Sequence, residues 1–162
     1  MSKHIIYLCI GGNLGEREAN LEEARMFIEF NMGDIVAESS IYESEAWQMA
    51  AAPAFLNQVI RIESTLSPDE LLLEITELEE FYGRERSVDE YLSREMDIDI
   101  LFFDDVLRTD EKLEIPHPRL HLRKFVLVPL AEIAGDLVHP VLKKSIAALL
   151  KDCCDTSTVK KV

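Results

Sequence analysis

Apolar positions along the chain change period several times, and each change marks an element. His4 to Ile10 is a β-type run that ends at the turn GGN, residues 11–13. Asn13 then offers an N-cap with Glu16 at N3. From Leu14 the apolar residues Leu21, Ala24, Phe27, Ile28 and Phe30 keep roughly helical spacing up to Gly33, with Met26 less well placed. Ile35 to Tyr42 begins and ends on β-formers and predicts a strand, whereas residues 44–54 lack a regular pattern and predict a loop. In FLNQVIRIES, residues 55–64, Phe55, Asn57, Val59, Arg61 and Glu63 share one face and Leu56, Ile60 and Ile62 the other. That is a strand with one dry side and one mixed side.

The clearest helix start follows, with Ser67 as cap, Pro68 at N1 and Glu70 at N3 of a capping box. Leu71, Leu72, Ile75, Leu78 and Tyr82 carry that helix to Gly83. RERSVDEYLSR, residues 84–94, is charged, without period, and reads as a mobile loop. EMDIDILFF is the strongest strand in the chain, followed by a hairpin-like return through Val106 and Leu107. Beyond the PHPR turn at 116–119, KFVLVPLAEIA and SIAALLKDCC predict two short helices, and the tail TSTVKKV is expected to fray. The order β-α-β-β-α-β predicts an α+β, ferredoxin-like split βαβ domain over residues 1–151. Its antiparallel sheet would carry both helices on one face, with a C-terminal helical appendage and a polar tail at 152–162.

One feature resists the pattern. Aspartate is a poor strand former, yet Asp97 and Asp99 sit inside the strongest strand. With Met96, Ile98 and Ile100 turned to the helices, both acids point to the opposite, open face, about 7 Å apart by the ~3.3 Å rise. Either that face is wet, or the acids hold something positive.

Charge narrows the choice. The net charge of −14 argues against nucleic acid and anionic membrane as partners. Arg84, Arg86, Arg94, Arg108, Lys112, Arg119, Arg123 and Lys124 nevertheless gather nearly half of the 17 basic residues in one stretch, which suits a small anionic ligand or a set of surface ion pairs. Cys9, Cys153 and Cys154 have no metal-ligand spacing and read as reduced thiols of a cytoplasmic protein. The N-terminus has no signal-peptide layout, and no apolar run is long enough for a membrane span.

Four blocks, in order, resemble one family. REMDIDILFF is similar to an R-x-x-D-x-D-I segment, IPHPRLHLRKFVLVPLAEIA to an I-P-H-P-R-x-x-x-R-x-F-V-L-x-P-L-x-E-I-A block, YLCIGGNLGEREANL to a Y-x-x-x-G-S-N-L-G opening, and FLNQV to F-L-N-x-V. All four belong to the 6-hydroxymethyl-7,8-dihydropterin pyrophosphokinases of folate biosynthesis. The resemblance implies a ferredoxin-like fold and transfer of pyrophosphate from ATP, as co-substrate, to the pterin hydroxymethyl group, with release of AMP. It implies two Mg²⁺ ions on Asp97 and Asp99, with Arg84, Arg86 and Arg94 joining them at the reacting phosphates. Glu79, Arg86, Arg94, Ile100, Lys112, His117 and Arg123 would meet ATP. Ser44, Glu45, Trp47, Phe55, Asn57, Asp97 and Phe125 would meet the pterin, Phe55 and Phe125 by stacking and Asn57 by reading an edge. His117, between two prolines, could equally stabilise its turn through the ring nitrogens. Arg108, Arg119 and Lys124 are read as surface charge. A monomer is expected.

The chain departs from the family pattern at Gly12 in place of serine, at Thr76 in place of glutamine, and in two loops. Ser44–Gln48 replaces T-P-P-x-G, and Tyr91–Arg94 replaces W-G-P-R. These changes bear on lid closure and substrate affinity more than on reaction type. They also keep one alternative open, a non-catalytic relative that binds ATP or a pterin. A second two-metal nucleotide enzyme and an RNA-binding ferredoxin-like module fit less well, the latter because of the acidic charge.

Overall fold

Antiparallel pairing dominates the architecture. The computed structural model describes residues 2–45, 53–83 and 96–162. Its elements run β1 (His4–Gly12), α1 (Arg17–Asn31), β2 (Asp34–Glu38), β3 (Tyr42–Ser44), β4 (Phe55–Ser64), α2 (Pro68–Gly83), β5 (Asp97–Phe103), β6 (Arg108–Thr109), β7 (Glu114–Ile115), α3 (Lys124–Ala134), α4 (Ile146–Asp152) and β8 (Val159–Lys161). Among the described residues the main sheet has the order β5-β1-β4-β3-β8, with β2 also on β4. That is the split βαβ order, its second strand divided into β2 and β3. Residues β6 and β7 form the hairpin beyond β5.

Two hydrophobic clusters cover the two faces. Leu21, Ala24 and Ile28 of α1 and Leu71, Ile75 and Leu78 of α2 meet Ile6, Leu8, Ile10, Leu56, Ile60, Ile62, Ile98 and Ile100 on one face. Each helix presents a stripe at helical spacing, and each fully buried Leu or Ile contributes roughly 1.5–3 kcal/mol. The capping box of α2 is formed: Ser67 N–H donates to Glu70 Oε1 at 2.9 Å and Glu70 N–H to Ser67 Oγ at 3.2 Å.

Several expectations need correction. Asn13 does not cap α1. Gly15 takes a left-handed φ of 71°, which ends any helical path from Asn13, and the helix starts at Arg17 with no side-chain cap. Phe30, expected on the apolar stripe, is 89% exposed. The predicted strand 35–42 is interrupted because Ser39 Oγ accepts the Val59 N–H that a continuous strand would have paired through backbone. The second face is open only in part: α3 and α4 cover it over Tyr7, Cys9, Val59, Leu101 and Phe102. The tail does not fray; β8 pairs along β3.

A bulge in β5 links the fold to its chemistry. The register with β1 shifts between Tyr7 and Leu8, so Leu101 has no opposite number. Leu101 and Phe102 therefore both enter the second cluster, and Phe103 returns to the first.

Candidate active site

Asp97 and Asp99 lie on the second face of β5, where α3 and α4 leave it uncovered, opposite Gly11 and Cys9 of β1. The bulge beside them supplies the next group. The unpaired Leu101 turns its carbonyl to the His117 N–H at 3.1 Å, which docks the PHPR turn against β5. His117 Nδ1 accepts the Arg119 N–H at 3.1 Å, so the ring proton stands on Nε2, 3.9 Å from Asp99 Oδ1. Burial, with help from the charges of Arg123 and Arg119, pushes the His117 pKa down to about 4. The ring is therefore a neutral donor at pH 7, and its approach to Asp99 is no ion pair. The turn-stabilising reading of His117 is met by one ring nitrogen, and the other nitrogen faces Asp99.

Glu79 reaches the same centre from α2. Its Oε2 accepts the Ile98 N–H at 2.9 Å on the free edge of β5. Burial pushes its pKa up to about 8; the Ile98 hydrogen bond opposes this, while Asp97 and Asp99 reinforce it. Burial is the main reason that this carboxyl stays protonated near neutral pH, and the negative charge of Asp97 and Asp99 adds to it. Among the described residues no cluster of three or more acids, histidines or cysteines has metal-ligand geometry. Two carboxylates on one strand face still fit Mg²⁺, which keeps several waters and takes one or two protein carboxylates plus phosphate oxygens.

A cleft of about 320 Å³ opens between β5, α2 and residues 110–118. Leu72, Ile75, Ile98, Ile100 and Leu113 form its apolar wall, and Asp99, Asp110, Glu111, Lys112, Glu114 and His117 its polar lining. Leu72 and Ile75 were read only as core of α2; they lie on the turn that faces β5, and helical spacing alone does not separate these roles. A wider hollow of about 730 Å³ between α1 and β2 is lined by Met26, Phe30 and Val36 together with Arg25, Glu29 and Glu38.

The second half of the site lies across the sheet. Asp97, Gly11, Asn57 and Tyr42 stand opposite one another on four adjacent strands. Gly11 has no side chain to fill the gap between Asp97 and Asn57, and a Cβ there would collide with Asn57 Oδ1 and stand 2.6 Å from the Leu56 carbonyl. Asn57 is 5% exposed and donates to Ser44 Oγ at 3.3 Å. Ser44 pairs with Phe55. Asn13, freed from capping, donates to the Pro53 carbonyl at 3.0 Å, and Arg17 to that of Ala54 at 2.9 Å. The turn after β1 thus holds the chain entering β4. Gly11 and Arg17 are site-shaping residues that motif reading passed over, although a Gly-Gly pair ending a buried strand is a signal of close approach.

Arg123 and Phe125 were assigned to different ligands, and the structure brings them together, the guanidinium carbon 5.6 Å from the ring centroid. Arg108 bridges Asp69 at 2.9 Å and Asp110 at 2.6 Å, as surface charge should. Cys9 is buried opposite Asp99, and burial, with Asp99 and Asp97, pushes its thiol up, so it is no nucleophile. Glu45 is exposed at the end of β3. Trp47, Arg84, Arg86 and Arg94 lie outside the described residues.

A profile of the 7,8-dihydro-6-hydroxymethylpterin-pyrophosphokinase (HPPK) family matches residues 7–135. The chain belongs to this family. It is 39% identical to the 2-amino-4-hydroxy-6-hydroxymethyldihydropteridine pyrophosphokinase of Aquifex aeolicus, over 86% of this chain and 86% of that one. With the protein of that name from Haemophilus influenzae it shares 36% identity over 95% and 96% of the two chains. Against the folic acid synthesis protein fol1 of Pneumocystis carinii it is 37% identical over 93% of its own length but spans only 20% of that protein. A Plasmodium falciparum HPPK-DHPS structure superposes with a TM-score of 0.76 at 18% identity, over 93% of this chain and 41% of that one. An HPPK-DHPS complex with substrates gives 0.74 at 14% identity, over 94% and 43%. These solved structures support the ferredoxin-like HPPK fold. The four sequence blocks that suggested HPPK all fall inside or across the matched region, and the chain is an enzyme of the pyrophosphokinase class. No helix among the described residues is long and apolar enough to cross a membrane.

Proposed function

We propose that this HPPK transfers the pyrophosphoryl group of ATP to the hydroxymethyl oxygen of 6-hydroxymethyl-7,8-dihydropterin, yielding the pterin diphosphate and AMP, with two Mg²⁺ ions shared by Asp97 and Asp99. The observation that carries the reading is the position of these two acids, one residue apart on the same face of β5. Asp99 lines the cleft with His117 and Lys112, and Asp97 shares a row with Gly11 and Asn57. One strand therefore presents a carboxylate to each substrate.

In this reading the apolar wall of Leu72, Ile75 and Ile100 takes the adenine, and Lys112 and the Nε2–H of His117 take phosphate or ribose oxygens. A neutral donor suits this place, since it binds phosphate at any pH above about 4 without adding to the charge of Arg123. Phe55 and Phe125 stack on the pterin while Asn57, oriented by Ser44, reads its edge. Arg123, packed on Phe125, spans the two substrates. The pterin oxygen bonds to the β-phosphorus, the α,β-bridging P–O bond breaks towards AMP, and the hydroxyl proton is released. Bound Mg²⁺ would supply charge neutralisation at the phosphates. Arg84, Arg86 and Arg94 are proposed to close on the transferring group. The three cysteines are free, which accords with a cytoplasmic enzyme acting on small molecules.

The test is product analysis with protein, Mg·ATP and the pterin, plus a control without pterin. One AMP per pterin diphosphate supports the proposal; ADP would replace it with ordinary kinase chemistry. Saturable Mg·ATP binding with no nucleotide product would favour the non-catalytic relative, for which the altered loop at Ser44–Gln48 is the motive.

A further inference from the structure

The HPPK profile ends at residue 135, yet residues 155–162 join the start of α3 to the edge of β3. Asp155 Oδ2 accepts the N–H of Lys124 at 3.0 Å, at the first residue of α3 and one position before Phe125. Arg123, the residue preceding α3, makes no side-chain cap, so Asp155 supplies from 31 residues away the acceptor a local cap usually gives. Its other oxygen accepts the Ser157 N–H at 2.9 Å, which turns the chain towards the sheet. Burial alone would raise the Asp155 pKa, but these hydrogen bonds, from Ser157 and then Lys124, hold it below the ordinary value.

From that turn β8 runs along β3, with Val159 opposite Ser44, Lys160 opposite Glu43 and Lys161 opposite Tyr42. The Val162 N–H donates to the Ile41 carbonyl at 2.9 Å. Strand β3 is three residues long, and a strand so short is weakly held by one neighbour. β8 gives it a second. Glu132 of α3 completes the frame by accepting from Tyr42 Oη at 2.6 Å and from the Ser40 N–H at 3.1 Å. The nucleotide cleft is at the other end, for β5 and β8 are the opposite ends of the sheet order.

We propose that residues 155–162 are a positioning strap, which holds the start of α3 to the β3 edge and so sets the gap between Phe125 and the Ser44–Asn57 pair. The proposal rests on the pterin assignment above. It predicts that the strap acts on pterin affinity and leaves the nucleotide subsite alone.

Two full-length variants test it. Asp155→Ala removes the α3 cap. Lys160→Pro removes the ladder amide facing Glu43, which the Val162–Ile41 bond places in a hydrogen-bonded pair by alternation. Loss of a cap is worth roughly a factor of five to twenty in a local equilibrium, so the pterin KM should rise by about that much in each variant. The KM for ATP should stay within about twofold. Calorimetric binding of 6-hydroxymethylpterin in the presence of a non-hydrolysable ATP analogue should weaken in parallel, and Asp155→Asn, with one acceptor left, should fall between. Unchanged pterin KM in both variants would overturn the strap. So would a parallel rise of both KM values with a falling Tm, the mark of general loosening. A parent chain that makes no AMP would instead overturn the pyrophosphokinase reading itself.

Discussion

The two faces of the sheet are drawn from the same strands and built to different ends. Towards α1 and α2, Leu8, Ile10, Leu56, Ile60, Ile98 and Ile100 interlock without a polar atom among their side chains. On the other face Tyr7, Cys9, Val59, Leu101 and Phe102 lie dry beneath α3 and α4, while Ser44, Asn57, Asp97 and Asp99 occupy the remainder. Strand alternation makes this division possible, since one strand can place Ile98 in a core and Asp97 and Asp99 in a site with no change of backbone. The dry face supplies rigidity, and the polar half gathers carboxylates on one strand. If that division is right, substitutions on the two faces should separate stability from turnover.

The largest effect should come from the polar half. Asp97→Asn or Asp99→Asn is expected to lower kcat by about a thousandfold, as loss of transition-state charge stabilisation does. The fold should hold or gain slightly, because each change removes repulsion on Glu79. AMP release and thermal melts on the same samples check this, and a fully active double variant would sink the metal assignment. The converse is Leu8→Ala on the dry face, where Leu8 is fully buried between Ile60 and Ile100. It should cost about 2–5 kcal/mol in urea unfolding. Per folded molecule, Mg·ATP affinity should stay within about twofold. Coupled losses of stability and affinity would mean that the faces are not separable.

Gly11→Ala probes the boundary between them. The added methyl meets Asn57 Oδ1 and the Leu56 carbonyl, so Asn57 must turn from its pose against Ser44, the one proposed to read the pterin. Overpacking of this kind costs about 1–3 kcal/mol, and the pterin KM should rise roughly tenfold with the ATP KM unmoved. A variant with unchanged pterin KM would show that the Asp97–Asn57 gap is not where the pterin lies.

Two similar-looking helix starts show how far the fold was legible. Ser67-x-x-Glu70 forms its capping box, and Asn13-x-x-Glu16 does not. Both match the local rule. At the second, Gly15 breaks the helical path and Asn13 is drawn to the Pro53 carbonyl, a partner 40 residues away. Strand faces, the α2 stripe and the placement of Asp97 and Asp99 were readable because alternation and helical period are local. The Leu101 bulge, the return of His117 to β5 and the pairing of β8 with β3 were not, because each depends on a distant partner. Ile100, Lys112 and His117, grouped by motif as nucleotide contacts, line one cleft together with Asp99, but motif spacing could not show that Arg123 and Phe125 touch.

The smallest effect is also the most diagnostic of the charge held on the polar half. Glu79 has its pKa pushed up to about 8, chiefly by burial and further by Asp97 and Asp99. Between the ordinary value near 4.5 and about 8 the folded chain therefore carries a proton that the unfolded chain lacks, so Glu79 takes stability away as pH rises through that window. Glu79→Gln keeps an acceptor for the Ile98 N–H and cannot ionise. Parent and variant should match near pH 4.5 and diverge above it, the variant gaining about 1–3 kcal/mol by pH 9. His117 works in the opposite sense, losing stability as pH falls from 6.5 towards 4, but it is present in both chains and cancels in the difference. Added Mg²⁺ should narrow the gap in part, because a cation at Asp97 and Asp99 removes the repulsion that adds to burial in keeping Glu79 protonated. Parallel melting curves from pH 5 to 9 would mean that Glu79 ionises in the folded chain as it does in the unfolded one. A gap indifferent to Mg²⁺ would mean that the negative centre is not where the cation goes.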